Sequence, residues 1–139
     1  MSSRKIWILV GCLIGGGVVF VGAIGALAFH YLAPVMGPML AVRSEIVKVY
    51  PSSNPSVQMH WQNGRKTFQV SVAASFNPVQ DSSAAQAMAG RIAQIVRDHY
   101  DLAGYDGITV VTEQRFNAGI VHAKTVRGFS FTVSAEAKP

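Results

Sequence analysis

The sequence predicts an α+β protein: one N-terminal transmembrane helix followed by a small domain with a mostly antiparallel sheet. Three patterns predict this fold class. Residues 6–42 contain no Lys, Arg, Asp or Glu, alternating apolar residues flank Asn63-Gly64, and residues 84–102 carry one apolar stripe at helical spacing. We expect two or three further strands after the helix. The chain then divides into a cytoplasmic N-terminus (1–5), a transmembrane helix (6–32), an apolar Pro/Gly linker (33–42) and an extracytoplasmic domain (43–139).

The transmembrane segment is the most apolar part of the chain. Ile6 to Phe29 is 24 residues, about 36 Å of helix at roughly 1.5 Å per residue, which exceeds a hydrocarbon core of roughly 30 Å. Arg4 and Lys5 lie on the short N-terminal side. The positive-inside rule therefore predicts a cytoplasmic N-terminus and an outer domain, most simply on the periplasmic side of a bacterial inner membrane.

Two processing alternatives stay open beside a retained signal-anchor. Residues 26–28, Ala-Leu-Ala, are typical of a signal-peptidase site, although the preceding apolar run is longer than that of most signal peptides. Residues 9–12 are similar to a lipobox, but only six apolar residues precede Cys12. The retained helix is the favoured interpretation, and a lipoprotein is the weakest one.

Small residues recur along one face of the predicted helix at spacings of 4, 7 and 4: Gly11, Gly15, Gly22 and Ala26. Such small-xxx-small pairs let a second helix approach closely, so the pattern predicts a helix–helix interface with another transmembrane subunit. The alternative is that glycine is simply frequent in membrane helices.

His30 directly follows the apolar stretch, at the outer end of the predicted transmembrane segment. The pair Ala26 and His30 resembles the Ala-xxx-His of light-harvesting antenna helices. That resemblance implies a bacteriochlorophyll, or more generally a tetrapyrrole such as haem, bound by His30, because imidazole is a good axial ligand. The plainer alternative is an interfacial histidine and no cofactor.

The linker contains Pro34, Gly37 and Pro38, which predict that the helix ends near Leu32 or kinks there. Its other residues are apolar, unlike those of a flexible solvated tether. We expect it to lie on the membrane surface or against a partner subunit.

The outer domain should begin with a hairpin. Apolar and polar residues alternate over 57–62 and 68–72, and Asn-Gly between them is typical of a type I′ turn. A two-residue turn sets the register and places apolar residues together on one face. The expected pairs are Met59 with Phe68, Val57 with Val70 and, on the other face, His60 with Thr67.

The helix of the domain should follow N-cap candidates at 81–83 and stop at Gly104. Its stripe should cover the apolar face of the sheet. The stripe consists of Ala85, Met88, Ala89, Ile92, Ile95, Val96 and His99. We interpret His99 as a packed core histidine.

The remaining strands should lie at 108–113 and over 120–133, the latter as one long strand or as two short ones, with a turn or bulge at 116–119. The order of elements predicts an antiparallel or mixed sheet with one helix across a face.

No motif indicates catalysis, and we expect no enzyme. His60, His99 and His122 share no metal-ligand spacing, no Gly-x-Ser-x-Gly elbow is present, and Cys is absent downstream of Cys12. A three-histidine site assembled by the fold is the remaining alternative. No small-molecule substrate can be identified.

From Arg43 onward ten Lys and Arg stand against seven acids, a net charge of +3. They form no clustered stripe, which argues against nucleic acid. Arg115, Lys124 and Arg127 could share a sheet edge and form a surface for an acidic partner. The alternative is that they protect an edge strand by positive charge.

These features favour a non-catalytic accessory or structural subunit of a larger membrane complex, docked by its transmembrane helix and its outer domain. A photosynthetic or respiratory complex is one candidate host. The alternative is a stand-alone, membrane-anchored envelope binding or sensing module. An enzyme is the third hypothesis.

Overall fold

The computed structural model describes the backbone of residues 3–133 and the side chains of residues 22–133. The chain forms two compact units, Met1–Gly37 and Pro38–Pro139. The α+β fold class is confirmed. The elements are α1 (Ser3–Val49), β1 (Ser56–Gln62), β2 (Arg65–Ala73), α2 (Ser82–His99), β3 (Gly107–Ala118) and β4 (Val121–Thr132).

In the described part of the chain, one helix near the N-terminus is long and apolar enough to cross a membrane. Over Gly22–Val49 its most apolar window has a mean hydropathy of 1.4, and none of that window is buried. α1 as a whole continues to Val49. A helix end near Leu32 is therefore wrong, whereas a kink there stays a prediction; the residues of the apolar Pro/Gly linker, 33–42, are helical.

The continuation of α1 has a physical reason. Pro34 and Pro38 each remove one backbone donor, a local loss that helices in apolar surroundings tolerate. Beyond them Val42 and Ile46 are fully buried in the core of the outer unit, with Met39 packed against that core. Burial of this face holds the last turns of α1, so the outer unit begins before the predicted boundary at Arg43.

The sheet has the order β1-β2-β3-β4. β1 pairs with β2, and β3 with β4, in antiparallel fashion, but β2 pairs with β3 in parallel. The sheet is thus mixed, and the expectation of a mostly antiparallel sheet needs this correction. The parallel pair arises because α2 carries the chain back along the sheet before β3 begins.

The predicted first hairpin is confirmed in register. Met59 pairs with Phe68, Val57 with Val70 and His60 with Thr67. The turn residues Asn63 and Gly64 have φ values of 52° and 76°, the left-handed conformation that a type I′ turn requires.

α2 begins where Asp81 caps it: the carboxylate of Asp81 accepts the backbone N–H of Ala84 at 3.1 Å. The predicted stripe is buried, except that His99 is exposed and lies at the last helical position. His99 is therefore not a core residue. Gly104, with φ of 80°, lies beyond the end of the helix rather than at its cap.

The core lies on one face of the sheet, under α2 and the last turns of α1. Its largest fully buried side chains include Phe68, Ile92, Ile108 and Val110. In β2 and in the first half of β3, buried residues alternate with half-buried ones. The half-buried residues belong to the other face, which no helix of the described chain covers.

Candidate functional site

β3 and β4 extend beyond the rest of the sheet. β2 pairs with β3 only as far as Glu113, whereas β3 pairs with β4 up to Ala118 and Val121. Residues 114–125 therefore form a two-stranded ribbon that has no third strand in the described structure. We call this ribbon the arm.

The arm closes with a two-residue turn, Gly119-Ile120. Gly119 has a φ of 61°, which favours glycine. Ile120 is 98% exposed, although turn positions usually carry polar residues. The isoleucine at this tip is thus not buried by any part of the chain that the structure describes.

One face of the arm is apolar. Phe116 pairs with Ala123, and Ala118 with Val121, so these four side chains lie on the same side of the ribbon. Phe116 is 61% exposed and Val121 is 56% exposed. The apolar face of the arm is thus uncovered in the described structure.

Sequence reasoning missed this surface because residues 116–119 were assigned to a turn or bulge. A signal was present. Phe116 and Ala118 before Gly119-Ile120, and Val121 and Ala123 after it, mirror one another as the two sides of a hairpin do. A two-residue turn that begins with Gly119 would have predicted this hairpin.

The opposite face of the arm carries an ion-pair cluster at its base. The two oxygens of Glu113 contact Arg115 at 2.7 Å and Lys124 at 2.6 Å. Hydrogen bonds from Lys124 and Arg115 hold the pKa of Glu113 below its ordinary value of 4.5, against the raising effect of burial. The single carboxylate of Glu113 therefore neutralises part of the positive charge of Arg115 and Lys124.

The predicted partner surface is only partly assembled. Arg115 and Lys124 are direct cross-strand partners, but Arg127 pairs with the buried Thr112 and lies on the other face of the sheet. There its guanidinium stacks over the ring of Phe129 at 5.5 Å, a cation–π contact that covers an apolar side chain.

Two depressions lie near the base of the arm, both within the outer unit. A polar depression of about 400 Å³ is lined by Asn54, Ser56, Gln58, Ser71, Ala73, Glu113 and Arg115. A mostly apolar cavity of about 590 Å³ lies between Val49, Ala74 and Met88. The polar depression offers hydrogen-bonding groups, and the apolar cavity offers contacts to apolar side chains. Neither one presents an activated nucleophile among its lining residues.

The other end of the sheet is closed by an aromatic cluster. Phe68 and Tyr100 have ring centroids 4.5 Å apart, and Lys66 lies 4.2 Å from the ring centroid of Tyr105. Burial, followed by the hydrogen bond with Tyr105, raises the pKa of Tyr100 to about 12. The phenol of Tyr100 therefore stays protonated at neutral pH, and the hydroxyl of Tyr105 donates to the sulfur of Met59 on the first hairpin at 2.8 Å.

The predicted membrane-helix residues are only partly described. Gly11 and Gly15 lie outside the residues whose surroundings are described. Gly22, Ala26 and His30 are exposed, and the ring of His30 meets that of Tyr31 edge-on at 5.7 Å. The helix–helix interface and the tetrapyrrole site stay predictions.

The histidines of the outer domain are dispersed. His60 lies on the first hairpin, His99 ends α2, and Nδ1 of His122 lies 2.8 Å from the side-chain oxygen of Asn117 on the arm. Among the residues that the structure describes, no three His, Cys, Asp or Glu side chains are grouped as metal ligands.

Comparison of the chain with protein-family models, with curated proteins and with solved structures found no match. What the protein does must therefore be inferred from its own geometry.

Proposed function

We propose that this protein is a non-catalytic accessory subunit of a larger membrane complex, and that the arm is the outer domain's contact with its partner. The observation that carries the proposal is the uncovered apolar face of the arm, with Phe116 and Val121 more than half exposed and Ile120 at the tip. Contiguous exposed apolar surface marks protein–protein or membrane interaction sites.

The membrane helix supports the same proposal. Gly22 and Ala26 are exposed and leave room for a neighbouring helix. In this proposal α1 is a retained signal-anchor with its N-terminus in the cytoplasm, and the outer domain lies in the periplasm of a bacterium. Partner subunits would then contact the protein at two separate places.

Co-purification of the full chain in mild detergent tests the proposal. The wild type should retain a partner in stoichiometric amount. Phe116→Ser should lose most of that partner, because it removes the largest apolar side chain of the arm. Val79→Ser is the matched control, since Val79 is 54% exposed on the loop before α2 and is not part of the arm.

Three outcomes contradict the proposal. They are a lone monomer in the wild type, equal retention by both variants, and equal loss from both. Far-UV circular dichroism of each variant must match the wild type, so that partner loss is not caused by unfolding.

A photosynthetic or respiratory host would add a pigment absorption band to the purified complex, and His30→Leu should remove the band if His30 is its ligand.

The polar depression beside Glu113 favours a second candidate, a membrane-anchored envelope binding or sensing module. Asn54, Gln58 and Ser71 offer hydrogen-bonding groups to a polar ligand there. In that case Gln58→Ala should weaken ligand binding and Phe116→Ser should not. Under the accessory-subunit proposal, Phe116→Ser should reduce retention of the partner and Gln58→Ala should not.

A further inference from the structure

Among the residues that the structure describes, no strand pairs with the outer edge of β4. The strand order places it at the border of the sheet, and it runs for 12 residues, Val121–Thr132. In the described structure the side chain of Arg97 approaches this strand only at its end, where it donates to the carbonyl of Thr132 at 3.5 Å. A free edge of this length is a template for a further strand.

The turn determines which backbone groups point outward. In a two-residue hairpin the flanking residues, here Ala118 and Val121, exchange hydrogen bonds with each other, and the bonding residues then alternate along the strand. The outward N–H and C=O groups of β4 consequently belong to the intervening residues: His122, Lys124, Val126, Gly128 and Ser130.

The charge of this edge identifies the chemistry of its partner. Residues 113–133 contain Arg115, Lys124 and Arg127 and one acid, Glu113, which is shared between Arg115 and Lys124, so the net charge is +2. An antiparallel second copy would bring together two β4 strands that each carry Lys124 and Arg127 and no acid, so the added pair of strands would gain no opposite-charge contact along the new edge. A lipid surface could bind the cations but could not satisfy the row of backbone groups.

We propose that β4 accepts an extended segment of a partner protein as a fifth strand, and that this segment alternates acidic and apolar side chains. Its acidic side chains would lie beside Lys124 on the open face. Its apolar side chains would lie on the other face, beside Ala123 and Phe129. This proposal rests on the proposed function, since it names the way in which the outer domain holds its partner.

The probe is a blocked eight-residue peptide of alternating Val and Glu, with a Val-Lys peptide of the same length as its counterpart. The protein is the full chain in nanodiscs of zwitterionic lipid. The acidic peptide should bind, bind more weakly as salt is raised, and slow hydrogen exchange at the outward amides of β4. The Val-Lys peptide should not bind and should not slow hydrogen exchange at these amides.

Two variants at Val126 separate strand addition from side-chain contact. Val126→Pro removes an outward N–H and leaves the hydrogen bonds to β3 in place, so acidic-peptide affinity should fall about tenfold or more, roughly 1.4 kcal/mol. Val126→Ala keeps the N–H and should stay within about twofold of the wild type.

Ser130→Glu is a further variant for the case in which the proline variant does not fold. It places an acid on the exposed edge and should reverse the preference between the two peptides. Equal affinity of wild type, Val126→Pro and Val126→Ala for the acidic peptide would overturn the proposal, as would protection of the same amides by anionic vesicles alone.

The result also separates this proposal from the one on which it rests. If the acidic peptide fails to bind while Phe116→Ser still loses a stoichiometric partner, the arm docks through side chains and strand addition is wrong. If neither the peptide nor a partner is retained by the wild type, both proposals fail.

Discussion

The two hairpins of the sheet differ in what supports them. The first turns at Asn63-Gly64, and β2 has a neighbouring strand on each side. The second turns at Gly119-Ile120 and extends past its last contact with β2 at Glu113. The first hairpin therefore belongs to the core, whereas the tip of the second contributes little to folding. Under the proposed function, the arm is retained for contact with a partner.

The largest expected effect separates the hairpins by stability. Phe68→Ala removes a fully buried ring and should lower the free energy of unfolding by about 3–5 kcal/mol. Phe116→Ala, on the arm, should change it by less than about 0.5 kcal/mol, as exposed substitutions usually do. Chemical denaturation of the full chain in detergent measures both. Similar losses from the two variants would show that the arm is part of the core.

The turn glycines provide a smaller effect. Gly64→Ala places a side chain at a φ of 76° and should cost the whole outer unit about 1–2 kcal/mol. Gly119→Ala meets similar strain at a φ of 61°, but the arm can open locally. Hydrogen exchange near Val121 should accelerate while global stability stays nearly unchanged. A global loss from Gly119→Ala would contradict this independence of the arm.

The smallest effect is the pH dependence of the base of the arm. Because its folded pKa is depressed, Glu113 contributes stability above pH 4.5 that is lost as the pH falls through the folded pKa. Glu113→Gln should therefore be less stable than the wild type at neutral pH, and the difference should vanish in acid. A difference that is constant across pH would mean that the ion pairs with Lys124 and Arg115 do not stabilise the arm.

Local patterns in the sequence predicted the first hairpin well. Alternation fixes which face is buried, and Asn63-Gly64 fixes the length of the turn, so the pairing of Met59 with Phe68 follows without knowledge of the rest of the fold. The cap at Asp81 and the buried stripe of α2 were predictable for the same reason, because each depends only on residues that are close in the sequence.

Features that depend on distant parts of the chain were not predictable in this way. Pro34 and Pro38 indicated a helix end, but burial of Val42 and Ile46 in a core made by later residues holds the helix together. The parallel pairing of β2 with β3 is likewise set by packing of α2. His99 follows the spacing of the apolar stripe but lies at its last position, past the buried surface.

The candidate site was predicted only in part. Arg115 and Lys124 do meet, because they lie in register on adjacent strands. Arg127 is displaced to the other face by the two-residue period of the strand, which could not be applied until the position of the turn was known. The apolar face of the arm depends on the same turn at Gly119-Ile120.

The parallel contact between β2 and β3 also has a consequence for synthesis. Gly107, the partner of Thr67, lies 40 residues further along the chain. At a ribosomal rate of roughly 5–20 residues per second, the second edge of β2 stays unpaired for about 2–8 seconds after it is made. α2, at Ser82–His99, is made before β3, so it can cover the apolar side chains of β2 before the second edge of that strand is paired.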